Sequence, residues 1–178
     1  MPTPGEVDDY FVQIKAMSDR EAVLAQSAFL DTFLEQALSW CMVTAPSDNR
    51  DRIFRDPGSP LGSFSARILL AEALGVVSPA MRAQLDVIRR IRNVFAHTVR
   101  PLDFENRTLA EEAAKLDPGS MTRPGFVYQT GVEITSRTRF NDTSTFVIRH
   151  VIEFIGARHK GAVDGSWPVV AAYQSTYA

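Results

Sequence analysis

The stretch "IRRIRNVFAH", residues 88–97, sets Arg89, Arg90, Arg92, Asn93 and His97 among five apolar residues. An imidazole exchanges a proton near neutral pH, and a guanidinium is a permanent cation with several donors. The set therefore has three readings: a solvated polar face, a basic grip on nucleic acid, or half of an active site. The first is the usual fate of a polar helix face, and a histidine near a helix C-terminus is favoured by the dipole alone.

Which reading holds depends on the helix beneath these residues. At about 100° per residue, Met81, Leu85, Val87, Ile88, Ile91, Val94 and Phe95 fall on one broad arc, predicted to be buried. Arg92 lies at the edge of that arc, where a charge needs a partner or a route to water. Asp86, Arg90, Asn93 and His97 gather on the opposite face, and spacings of four let Asp86 reach Arg90 and Asn93 reach His97. Arg92 and His97 are five apart, so on a straight helix they point roughly 140° away from each other. To serve one substrate atom, the helix must end between them, as Pro101 allows, or two copies must meet across a symmetry axis. That geometry, with the surplus of apolar positions on the long helices, predicts a homodimer.

Helical periodicity also dominates the rest of the chain. Ser18 and Glu21 have the spacing of a capping box, and Val23, Leu24, Phe29, Leu30, Phe33, Leu34, Leu38 and Trp40 follow at helical intervals. Residues 46–62 are rich in turn formers and read as a loop. "SFSARILLAEALG" is a short helix that Gly75 can stop in a left-handed cap. Ser78 caps the next helix, with Pro79 at its first position and its end near His97. "DFENRTLAEEAAKLD" is a further helix, ended by Pro118 and Gly119. Alternation around Val132 and Ile134 permits a small hairpin near 124–140, and an ordered loop fits as well. "NDTSTFVIRHVIEFIGARHKG" is a last helix with Val147, Ile148, Val151, Ile152 and Phe154 on its apolar face and His150 on its surface. The expected architecture is an all-α, single-domain helical bundle over 1–161, with 162–178 as a C-terminal tail.

Composition narrows the function. The 178 residues carry a net charge of −2, so nothing draws the chain as a whole to nucleic acid or anionic lipid, and a local basic patch would be needed. The single cysteine, Cys41, precludes an internal disulfide and a cysteine-rich zinc site, and reads as a small buried hydrophobe. No apolar run approaches the roughly 18 residues of a membrane span, and the acidic N-terminus "MPTPGEVDDY" is unlike a signal sequence. A cytoplasmic protein without a membrane, metal or cofactor is expected. No HExxH, GxGxxG, P-loop or GxSxG occurs. "LAEALGVVSPAMRAQLDVI" imitates a helix-turn-helix, but its turn is one residue too long, and Pro79, Ala80 and Met81 offer little hydrogen bonding to base edges. "ARHKG" at 157–161 groups cations at a helix end, which the dipole explains.

"SPLGSFSARILLAEALGVVS" (59–78), then "LDVIRRIRNVFAH" (85–97) and "LDF" (102–104), resembles the mannitol operon repressor family. "SAFLDTFLEQAL" looks like the helix that precedes the loop in that family, so the resemblance spans about 20–116. It implies an all-α fold without a recognisable DNA-binding motif and a repressor of sugar-alcohol uptake acting through protein partners. The phosphocarrier protein of the sugar phosphotransferase system is one such partner. Under it Ser63, Ser65 and Arg67 hold a buried turn, and Arg92, Asn93 and His97 are structural, not catalytic.

"RNVFAH" more distantly resembles the Arg-x4-His motif of the HEPN superfamily, many of whose members are metal-independent RNA endonucleases. That resemblance matches Arg92 and His97 to the catalytic pair and Asn93 to the polar residue after the arginine. His97 would move the proton of the 2′-hydroxyl or leaving oxygen, and Arg92 would offset phosphorane charge. A third expectation, direct DNA repression, is tested by a salt-dependent gel shift.

Overall fold

The computed structural model describes residue 10 and residues 12–42, 47–117 and 134–164. The six long elements are helices: α1 (Asp19–Cys41), α2 (Ser47–Phe54), α3 (Phe64–Ala73), α4 (Pro79–His97), α5 (Arg107–Ala113) and α6 (Ser136–Asp164). Residues 12–16 are also helical, and no described residue is in a strand. The fold is all-α.

Local chemistry sets most helix ends. Ser18 and Glu21 close a reciprocal capping box: the Ser18 amide donates to Glu21 Oε2 at 2.9 Å and the Glu21 amide to Ser18 Oγ at 3.4 Å. The Ala66 amide donates to Ser63 Oγ at the start of α3. At its end Gly75 takes φ +69°, so its amide reaches Glu72 O at 3.0 Å and the Val76 amide reaches Ala71 O at 2.8 Å. These are the two bonds of a Schellman cap, and a left-handed residue there favours glycine. The chain then turns straight into α4, whose Met81 amide donates to Ser78 Oγ at 3.2 Å.

Three elements differ from the sequence reading, and the first is α2: Ser47–Phe54 is helical within the stretch 46–62 read as a loop. Asn106 caps α5, accepting from the Thr108 and Leu109 amides, so that helix starts at Arg107 and not near Asp103. The last helix begins at Ser136, five residues before the expected Asn141, because the Thr138 amide donates to Thr135 Oγ1 at 3.1 Å and the Arg139 amide to Thr135 O at 2.9 Å. Residues 136–140 of the segment that permitted a hairpin are thus helical, and 118–133 lie outside the described residues, as does the tail beyond Asp164.

The chain divides into two compact units, Met1–Ala28 with Val87–Phe146, and Phe29–Asp86 with Val147–Ala178. The first unit packs Ile14, Val23, Ile88, Ile91, Phe95, Leu109, Leu116 and Phe140 into its core. Phe95, Phe104 and Phe140 form a chain of rings with centroids 5.5 and 5.8 Å apart. An Asp19–Arg137 ion pair, with Arg137 donating to Ile14 O and Met17 O and Asp19 accepting from the Phe104 amide, ties four segments of this unit together.

The second unit buries Leu30, Phe33, Leu34, Leu38, Phe54, Ile68, Leu85, Ile148, Val151 and Phe154. Its polar centre is Arg67, 6% exposed. The guanidinium donates to Leu61 O at 2.8 Å, Phe54 O at 2.9 Å and Asp31 Oδ1 at 2.9 Å, lies 3.3 Å from Glu35 Oε2, and sits over the Phe54 ring. Glu35 is itself buried and also pairs with Arg50 and Arg55. One planar fork thereby fixes the turn between α2 and α3 onto α1. Ser63 and Ser65 are exposed, so of the three residues assigned to this turn Arg67 alone is buried.

His150 is 7% exposed and bonded through Nε2 to Val76 O at 3.0 Å, not on the surface. It falls three residues after Val147 and four before Phe154, which puts it on the apolar face. Cys41 is half-buried, and burial pushes its thiol up against the opposing pull of Arg158. A thiol so shifted is a poor nucleophile.

Candidate functional site

The residues singled out by type sit on the last two turns of α4, in the first unit. Val87, Ile88, Ile91 and Phe95 anchor that stretch in the core, which fixes where the remaining side chains point. Val94, expected on the buried arc, is 39% exposed: it lies at the arc's margin.

Arg92 is half-buried, and its Nη1 donates to Asn93 Oδ1 at 3.0 Å. Asn93 is thereby the partner that the edge position of Arg92 required. His97 occupies the last position of α4 and is exposed. The structure therefore brings Arg92 and Asn93 together and leaves His97 facing solvent one turn further on.

On the polar side of α4, Arg90 pairs with Glu112, which also holds Lys115. Burial pushes the Glu112 carboxyl up, but the hydrogen bonds and charges of Lys115 and Arg90 outweigh it, so the group ends below its ordinary range.

One contributor to this end of the molecule has no local signal in the sequence. Arg20, on the first turn of α1, donates through Nη2 to Thr98 O at 2.6 Å and Arg100 O at 2.9 Å. Carbonyls past a helix C-terminus lack intrahelical donors, and a guanidinium satisfies two at once. The turn that follows His97 is held at both ends while Val99 between them is 97% exposed.

The arrangement can do two kinds of chemistry. The exposed imidazole and the Asn93-oriented guanidinium offer proton transfer and anion contact. The exposed valines at 94 and 99 offer apolar contact to another surface.

The helix-turn-helix likeness sits in the second unit and presents little to DNA. Met81 is buried, and Arg82 pairs with Glu72 at 3.0 Å and Asp86 at 3.2 Å. A cation neutralised by two carboxylates is poorly placed to meet phosphate.

Among the described residues no group of three or more His, Cys, Asp or Glu side chains could hold a metal, and no helix is long and apolar enough to cross a membrane. Neither a family model, nor a curated protein, nor a solved structure matches this chain.

Proposed function

We propose that this chain is a regulatory helical domain of the mannitol-repressor type that acts by binding a protein partner and does not read DNA directly. The observation that supports it is where the large exposed hydrophobic residues fall. Among the described residues these are Val12, Leu69, Val94 and Val99, and two of the four lie inside the resembling stretches, Leu69 in "SPLGSFSARILLAEALGVVS" and Val94 in "IRNVFAH". A protein partner docking on either unit would bury the exposed apolar side chain that the unit presents, Leu69 in the second and Val94 in the first. A partner such as the phosphocarrier of the sugar phosphotransferase system belongs to this reading, as does a cytoplasmic homodimer, which sedimentation at micromolar concentration tests. Deleting the gene should change expression of a neighbouring operon, and a Leu69→Asp, Val94→Asp variant that folds normally should fail to restore it. Unchanged expression on deletion would count decisively against regulation.

A second reading is a metal-independent endoribonuclease with Arg92, Asn93 and His97 as its site. What favours it is the exposed imidazole one turn beyond a guanidinium that Asn93 orients. In that case purified protein cleaves RNA in the presence of chelator, and His97→Ala abolishes cleavage with helicity intact. Equal activity in both proteins sinks the assignment.

A further inference from the structure

The turn that follows α4, in the first unit, combines an apolar tip with cations. Val99 is 97% exposed, whereas the next most exposed large hydrophobic residue among those described, Val12, is 66% exposed. A single valine in water is ordinary and by itself marks nothing. What sets Val99 apart is how firmly its backbone is held. The Thr98 amide donates to Val94 O at 3.1 Å. Arg20 Nη2 donates to Thr98 O at 2.6 Å and to Arg100 O at 2.9 Å, so one guanidinium clasps the chain before and after Val99. An apolar side chain on a backbone fixed in advance loses little entropy when a partner covers it, which is the property of an interface anchor.

The charge around this tip has one sign. Residues 87–102 hold four arginines and one histidine and no acidic residue. Arg90 is neutralised by Glu112, whereas Arg100, next to Val99, and His97, two residues before it, are exposed. The carbonyls at the end of α4 would make that end negative and repel a carboxylate, and the Arg20 guanidinium seated against two carbonyls of the turn offsets them. Asp19, adjacent to Arg20, is taken up by Arg137 and the Phe104 amide. Asp103, the next acid along the chain, accepts from the Glu105 amide.

We propose that the turn 97–100 is a docking surface for an acidic protein segment, in which Val99 enters an apolar pocket of the partner and carboxylates around that pocket meet the charge of Arg100 and Arg20. The partner is a protein and not a nucleic acid because the most exposed side chain is aliphatic. Bases stack on aromatic rings and guanidinium planes, and a phosphate chain gains nothing from an isopropyl group. A two-fold contact between copies of this turn would set cation against cation. The proposal rests on the protein-binding reading above and gives its partner a charge and a place on the molecule.

Photo-crosslinking of the full chain in cells of its source organism tests it, with p-benzoylphenylalanine placed in turn at positions 99, 94 and 69. Position 99 is expected to give a protein adduct whose crosslinked segment, identified by mass spectrometry, is rich in Asp and Glu. Arg100→Glu is expected to lower the yield of that adduct about tenfold, with helicity unchanged. A crosslinked segment without an excess of acidic residues, an adduct with RNA or with a second copy, or a yield that Arg100→Glu leaves unchanged would overturn the proposal. Protein adducts from position 94 or 69 alone would also overturn it, but they would leave the protein-binding reading standing at another surface. Absence of adducts from all three positions would bring down both.

Discussion

Arg67 and Arg92 are the same side chain in two settings, each within its own unit. Arg67 is buried, and its donors meet carbonyls of Leu61 and Phe54 and the carboxylates of Asp31 and Glu35. Arg92 is half-buried, and its hydrogen bond goes to its immediate neighbour Asn93. The first arginine joins α1, α2 and α3, and no part of it is left for a ligand. The second is held in place by one amide and still reaches solvent. Burial alone does not separate architecture from function; what does is how many distant parts of the backbone depend on the group.

Truncating the two arginines should separate them most sharply. Arg67→Ala removes one member of a buried charge network, taking from Glu35 one of its three arginine partners and from the Leu61 and Phe54 carbonyls their guanidinium donor, which is expected to cost about 3–5 kcal/mol in urea unfolding. Arg67→Lys should recover little of it, because an ammonium cannot reproduce the planar fork. Arg92→Ala is expected to stay within about 1 kcal/mol of the parent. Similar losses at both positions would erase the distinction.

The Arg20 contact lies between these extremes. Arg20→Ala frees the carbonyls of Thr98 and Arg100, one part-buried and one exposed, and should cost about 1–2 kcal/mol. Amide exchange in the turn after α4 should rise more than exchange at Ile88 or Ile91. If it rises equally along the whole helix, Arg20 supports the unit generally and does not hold that turn in particular.

These long-range partners are also what the sequence could not reveal. The Ser18–Glu21 box, the Gly75 cap and the Ser78–Pro79 start were legible because each is a contact within a few positions of chain. Arg67 finds Asp31 across 36 positions and Arg20 finds Thr98 across 78, and no periodicity encodes either. His150 was misread for another reason: its spacing to Val147 and Phe154 placed it on the buried face, but its polarity argued the reverse. Val94 erred the other way, an apolar residue on the margin of an arc drawn too broadly. Of the candidate site, the helix and the polar face carrying Asn93 and His97 could be read in advance. The Arg92–Asn93 bond could not, because adjacent residues on a helix point about 100° apart and meet only when a long side chain bends back.

The smallest predicted effect concerns two carboxylates of the first unit, and it has a definite sign. Glu21 is lowered from its ordinary 4.5 by hydrogen bonds from Ser18, and Glu112 ends lowered by Lys115 and Arg90 despite its burial. A group whose folded-state value lies below its unfolded one stabilises the protein above the unfolded value, and loses that contribution as pH falls through the folded one. The contribution of these two carboxylates should therefore be full at neutrality and decline as pH falls below their ordinary range. Glu112→Gln should cost about 0.5 kcal/mol at pH 7, since Arg90 and Lys115 are both largely in water. The gap between parent and variant should close as pH falls through the lowered folded-state value of Glu112, where the parent carboxyl becomes protonated and neutral like the amide. A gap that persists unchanged into acid would mean that Glu112 stabilises the helix pair by packing and not by charge. The polar face of α4 would then resemble the Arg67 centre more than the Arg92 site.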